Sequence, residues 1–465
     1  MLKSFYPSVL IAAVCVAGAV ALYATWTPRE ETPERTVAIE RPSLAADPLK
    51  IVLTPLGGDE KIDRQIADLQ QRIAAAPEQH LLLERLGWAF VAKARLSSDP
   101  GYYTLAEQAA KALQTAAPDE PAALLLLGHT HHAMHRFAEA EKIALQLTGE
   151  REFAFDYALL GDALMEQGRL DPAIAAYQKM IDLKPCLQTY SRVAYMRWLK
   201  GDLRGAIGAA RAAVSAGSPK EPEATAWAST RLAAYEWQAG EMAGASSHLD
   251  LALQRVPGYA PALLLRGKLL MADGKFADAI PPLEQAAAAS PLPDYLWSLS
   301  DALRAAGRND EAGKVETELA RSGASADPRT YSIFLSTRGE RAAQALLLAK
   351  EELQTRQDVF TYDALAWAQF SNGEVIAAQE NMQRALAEGT HDARLFFHAA
   401  TIAAAAGENA RALEFLTEAR ALERVLLPSE RAALGQTTAA LLAATDSQIS
   451  SNQSTQKPEA ELPIP

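Results

Sequence analysis

Residues 128–135 read GHTHHAMH and hold four of the chain's eight histidines: His129, His131, His132 and His135. Imidazole is a common ligand of zinc and copper, so a cluster of this density raises a metal site and, behind it, an enzyme. Whether four rings can meet at one ion depends on the element that carries them. No HExxH-type general base accompanies them, and their spacing is no recognised ligand signature. Other catalytic patterns are missing too: there is no G-x-S-x-G, no phosphate-cradling glycine loop and no dinucleotide fingerprint, and Cys186 lies in no reactive-cysteine context. No enzymatic role and no cofactor are expected.

The composition narrows the class. Of 465 residues 49% are hydrophobic but only 7% aromatic, and long stretches combine alanine with Leu, Glu and Arg, which is a helical composition. A net charge of -12 and the lack of a Lys/Arg stripe with interleaved aromatics argue against nucleic acid as a partner. Two cysteines, Cys15 and Cys186, exclude a disulfide framework and a four-cysteine zinc site.

From Ser4 to Pro28 there is no charged residue, and SVLIAAVCVAGAVALYATW is about the ~20 residues needed to span a bilayer core. Lys3 precedes the run and REETPE follows it, an asymmetry that keeps the N-terminus in the cytoplasm and exports the rest. Residues 1–26 thus read as a membrane-spanning signal anchor or as a signal peptide cleaved at Ala19-Val20-Ala21; the run continuing to Trp26 favours the anchor. Either way the body is membrane-anchored or exported, on the extracytoplasmic side. Residues 27–56, with five prolines among charges, read as a linker, and 446–465 as a disordered tail.

A repeat lies between. Gly168, Gly201, Gly240, Gly274, Gly307, Gly339, Gly373 and Gly407 follow at spacings of 32 to 39 residues, most with an alanine five residues on, such as Ala173, Ala279 and Ala412. In YALLGDALMEQGRLDPAIAAYQKMIDLKP, from Tyr157 to Pro185, two helical patterns flank GRLD. Gly168 can take the positive φ that ends the first helix, Gly161 and Ala173 are small where helices approach, and Pro185 stops the second helix. Each unit is a helical hairpin.

This pattern resembles the tetratricopeptide repeat family through Tyr157, Leu160, Gly161, Ala173, Tyr177 and Pro185, and again through Gly267, Gly274, Ala279, Leu283, Ala286 and Pro291. The unit with Gly339 is the most degenerate, its alanine displaced to Ala343. The resemblance implies an all-α protein: a right-handed α-solenoid of about ten helix-turn-helix repeats over 80–425, following the membrane segment, with cap helices at 57–79 and 426–445. Arrays of this kind are binding surfaces, so protein or peptide partners are expected, in an interaction scaffold for assembly or maturation of an envelope or exported complex.

The family lines its concave groove from the first helix of each hairpin, six and three residues before the unit's first small residue and one, four and five after it. Carried over unit by unit, those offsets fall on six of the seven tryptophans: Trp88, Trp198, Trp227, Trp237, Trp297 and Trp367. Tyr195, Phe370 and Phe397 join them. Flat apolar faces with a polar edge suit a peptide; the other use of these rings is as core between tightly coiled units. The same offsets split the histidine cluster. His129 and His132 face the groove, His131 takes a buried position, and His135 stands where other units have the turn glycine. The only metal candidate left is His129 and His132 with Asp162 from the next unit, and Glu166 as a further oxygen. The alternative function is therefore a metal- or small-ligand-binding protein working through His129 and His132.

Overall fold

The computed structural model describes residues 47–455, and every regular element among them is helical. Twenty helices from Leu81 to Ala421 pair as ten hairpins, numbered one to ten below, in the α-solenoid arrangement. Two short helices, Pro48–Val52 and Lys61–Ala75, precede them, and a long helix, Pro428–Thr455, follows.

The turns show why the sequence folds this way. In the third hairpin the helix Ala154–Glu166 ends at Gly168, whose φ of 73° is open to glycine at no steric cost. The next amide, of Arg169, donates back to the carbonyl of Leu164 at 2.9 Å and closes the helix end. All eight repeat glycines take positive φ, and His135 (58°) and Ser98 (54°) do so at the ends of the first helices of hairpins two and one. His135 thus occupies the turn-glycine place, in a conformation that side chains adopt at some cost. The small residue in mid-helix is needed for contact: a Cβ on Gly161 would lie 2.4 Å from the Tyr177 ring.

Two boundaries differ from expectation. The 27–56 linker ends earlier, because Pro48–Val52 is helical, Val52 is buried, and the Gln70 side-chain amide donates to the carbonyls of Val52 (2.8 Å) and Thr54 (2.9 Å). The N-terminal cap helix buries Ile66, Leu69 and Ile73. The last helix runs past the 426–445 cap to Thr455, since no glycine or proline interrupts DSQISSNQST. Among the described residues no helix is long and apolar enough to cross a membrane; the apolar run of residues 1–26 lies outside them.

The repeats coil tightly enough to touch themselves. The Lys200 ammonium meets Glu388 at 2.5 Å, 188 residues on, and Thr390 donates to the carbonyl of Leu199 at 2.6 Å, 191 residues on. The Gln357 amide donates to the carbonyl of Glu166 at 2.8 Å, beside an Arg356–Glu166 ion pair of 2.6 Å. The turns of hairpins three and four therefore rest on the loops that lead into hairpins nine and ten. The last helix packs on the first helices of hairpins seven (Pro293–Ala305), eight (Pro328–Arg338) and ten (Ala393–Ala405). One apolar cluster accordingly joins Leu164, Tyr177 and Leu199 of hairpins three and four to hairpins six to ten and the final helix.

Candidate functional site

The concave side divides into two regions. Toward the C-terminus it is filled. Trp297 is wholly buried, its indole N–H donating to Ser429 Oγ at 3.1 Å and its ring edge-on to Phe334 at 5.5 Å. Trp367 is buried with its indole on Thr337 Oγ1 at 3.0 Å, stacked against His398 (4.1 Å, 9°) and Phe370 (5.1 Å, 16°). Phe397 is buried as well, and so is Trp237 at the far end of the Trp227 helix in hairpin five, clustered with Leu265 and Leu269 of hairpin six. The offsets of these four rings predict a ligand surface; the structure uses them as core, because adjacent first helices close over them and the final helix adds to that at Trp297. Trp198 is half-buried, donates to Gln238 Oε1 at 2.7 Å and stacks on Phe360 of hairpin nine at 5.6 Å.

Toward the N-terminus the same surface keeps its access. Trp227, in the first helix of hairpin five (Pro222–Gln238), is 40% exposed. Trp88, His129, His132 and Tyr195 are half-buried. Trp88 lies 5.1 Å from His129, ring to ring. Two turns along the Trp88 helix, Arg95 pairs with Glu223 at 3.4 Å, which joins hairpin one to the start of the Trp227 helix. Tyr195 also lines a cavity of about 70 Å³ with Met165, Phe360 and Asp358.

The proposed metal ligands do not converge. Asp162 is held by Arg192, Nε to Oδ1 at 2.8 Å and Nη2 to Oδ2 at 2.5 Å, and it accepts from the Tyr177 hydroxyl at 2.7 Å. Burial opposes its charge, yet Arg192 keeps its carboxyl below the usual range. The guanidinium supplies the positive charge that a metal would have supplied. Glu166 is taken by Arg356. Among the described residues no group of three His, Cys, Asp or Glu could hold an ion. His129 loses its proton far more readily than a free imidazole, to about 3, because burial disfavours the charge and His132 adds to that. His132 is edge-on to Phe137 at 5.3 Å, and His135 stacks on the same ring at 5.5 Å while its Nε2 lies 3.2 Å from Arg356. His131, expected inside, is half-buried. The cluster is built into helix packing, with His129 alone sharing the Trp88 surface.

The tetratricopeptide repeat family model matches residues 125–185 and 264–327, the segments that form hairpins two, three, six and seven. Tetratricopeptide repeats are supported over those two stretches. No curated protein matches it. Among solved structures it is similar to TTC0263, a thermophilic tetratricopeptide repeat protein of Thermus thermophilus, at 19% identity and a TM-score of 0.34 over 40% of this chain and 99% of that one. It is also similar to MamA (19%, 0.25, over 34% and 95%) and to YrrB, described as having an unusual peptide-binding site (14%, 0.27, over 43% and 97%). No residue is carried over from them.

Two features of the array escape the offset pattern. One is the docking of the final helix on hairpins seven, eight and ten. The other is Arg231, which stands two residues before the small residue Ala233, as Arg192 does before Ala194; a search of that shared offset for charge would have found both.

Proposed function

We propose that the chain is a non-catalytic scaffold that holds protein or peptide partners on the concave side of hairpins one to five. The observation that carries this reading is the contrast among tryptophans at the groove offsets: Trp227 is 40% exposed where Trp297 and Trp367 are buried. An exposed tryptophan, on a helix that Glu223 ties to Arg95 of the Trp88 helix, is the kind of aromatic anchor on which interfaces depend. Repeat arrays work through such surfaces. We further propose that residues 1–26 anchor the chain, cleaved or not, so that the array works on the extracytoplasmic side in assembly or maturation of an envelope or exported complex; the uncharged run from Ser4 to Pro28 supports this.

Crosslinking in intact cells, comparing the natural chain with Trp227→Ala, tests the proposal. Truncating a ring this exposed should move the unfolding free energy by only about 0.5–1 kcal/mol. Capture of a discrete partner should fall at least ~10-fold, as loss of a hot-spot aromatic does. Undiminished capture in the variant would place the partner elsewhere.

A further inference from the structure

The final helix is seated chiefly at its start. Leu426, Leu427 and Glu430 are all buried there, whereas between Arg431 and Ala443 only Leu434 and Leu441 are. Further along, Thr437 meets the Thr401 hydroxyl at 2.9 Å and Thr438 accepts from Arg420 at 3.0 Å. A helix owes most of its stability in a protein to the face it packs, so one with so little buried apolar surface depends on the polar contacts of its first turn.

Two buried carboxylates make those contacts, and only one of them is paired. Glu430 meets Arg394 Nε at 2.5 Å and accepts from the backbone N–H of Leu427 at 2.8 Å. Asp301, on the first helix of hairpin seven, is 3% exposed and has no ion pair among the described residues. It accepts from the Ser429 N–H and hydroxyl alone. The surrounding cations are engaged elsewhere. Arg304 and Arg338 both pair with Glu316, at 2.5 and 3.4 Å, Lys268 pairs with Asp294 at 2.8 Å, and Arg431 donates to the carbonyl of Met271. Burying a carboxylate without a cation is costly, and protonation removes most of that cost. Burial accordingly pushes the Asp301 carboxyl up to about 6; the two Ser429 bonds pull it down, and the nearby Glu430 charge adds to the rise.

The sign follows from what release of the helix does. Water then reaches Asp301, and its carboxyl returns to the ordinary aspartate value near ~4. A group that holds its proton more tightly in the seated state strengthens the seat as pH falls from the seated value toward the free one, and that gain is lost as pH rises through about 6. The pairs Lys268–Asp294, Arg304–Glu316 and Arg338–Glu316 lie within the repeats and stay formed whether the helix is seated or released. The Arg394–Glu430 pair is a separate attachment, which a change at Asp301 leaves in place.

We infer that the final helix is a releasable plug over the first helices of hairpins seven, eight and ten, latched at Asp301 so that it seats more firmly as its surroundings acidify. The inference concerns the filled part of the concave side and goes beyond the partner surface of hairpins one to five.

Hydrogen exchange of the full chain, read by mass spectrometry with each rate divided by its intrinsic value, tests it. Protection of residues 428–443 should be about tenfold higher at about pH 5 than at about pH 7.5, and helix Ala154–Glu166 of hairpin three should not follow it. Asp301→Asn can still accept a bond from Ser429 but carries no charge, so it should show the acid level of protection at both pH values. Ser429→Ala removes a bond that favours the charged carboxylate, so the rise in protection should begin at a higher pH than in the natural chain. Protection in the natural chain that is equal at the two pH values or greater at the higher one, a change that Ala154–Glu166 shares in full, or one that persists in Asp301→Asn would overturn the inference. If the asparagine variant does not fold, Ser429→Ala decides: an onset at unchanged or lower pH overturns it.

Discussion

Trp297→Ala is expected to cost about 3–5 kcal/mol of stability, as large-to-small changes at buried aromatics do. The ring has no exposed surface, packs against Phe334 and lies under the Arg394 guanidinium at 5.4 Å. Its indole N–H also ends a chain of polar contacts. Ser429, which accepts that bond, donates its own backbone N–H and hydroxyl to Asp301 Oδ2 at 2.8 and 2.6 Å. Asp301 thus caps the start of the final helix, although burial pushes its carboxyl up to about 6. Losing Trp297 opens a cavity and unseats that helix in one change. Urea unfolding should show the loss, and amide exchange should show residues 428–443 losing protection first. The same change at Trp227, at another groove offset, should have at most a small effect. Comparable costs at the two sites would mean that the concave side is not divided into open and closed regions.

The second large effect separates backbone strain from contact between coil turns. Gly168 and Gly274 have nearly the same φ, 73° and 74°. A Cβ on Gly274 meets nothing within 4 Å, whereas one on Gly168 would lie 2.4 Å from the carbonyl oxygen of Gln357. Gly274→Ala should cost only the left-handed penalty of roughly 1–2 kcal/mol. Gly168→Ala should cost that and also displace the 357 segment, with the Gln357–Glu166 hydrogen bond worth about 1 kcal/mol and the packing around it. The difference between the two variants in urea midpoint measures the contact. Equal midpoints would remove it.

What the sequence made legible follows from range. Helix, turn and next helix are set by residues within one unit, so turn glycines, small contact residues and even the unusual backbone of His135 could be read from spacing. The path of the coil is different. A small rotation at each repeat accumulates until hairpin three meets the segment before hairpin nine, and nothing inside a single unit records that sum. Trp227 and Trp297 both stand at groove offsets, six and three residues before the small residues Ala233 and Ser300, and have opposite exposure for this reason. Asp162 shows the same limit at shorter range. Its stacking beside His129 suggested a metal, but Arg192 in the next hairpin reaches back and takes both carboxylate oxygens. Residues 1–46, which carry the anchor reading, lie outside the described structure.

Closure of the coil is the premise of both the filled and the open part of the concave side, and it can be read in the natural chain by zero-length carbodiimide coupling of amines to carboxylates. Lys200 and Glu388 are in contact at 2.5 Å across the two coil turns, while Lys111 and Glu107, at 2.7 Å within one helix, serve as a local control of similar exposure. Peptide mapping should find both links, with the Lys200–Glu388 bond formed within one molecule and in a yield that does not change on dilution. Formation of the Lys111–Glu107 link without the Lys200–Glu388 link would contradict the closed coil, and with it the division of the groove.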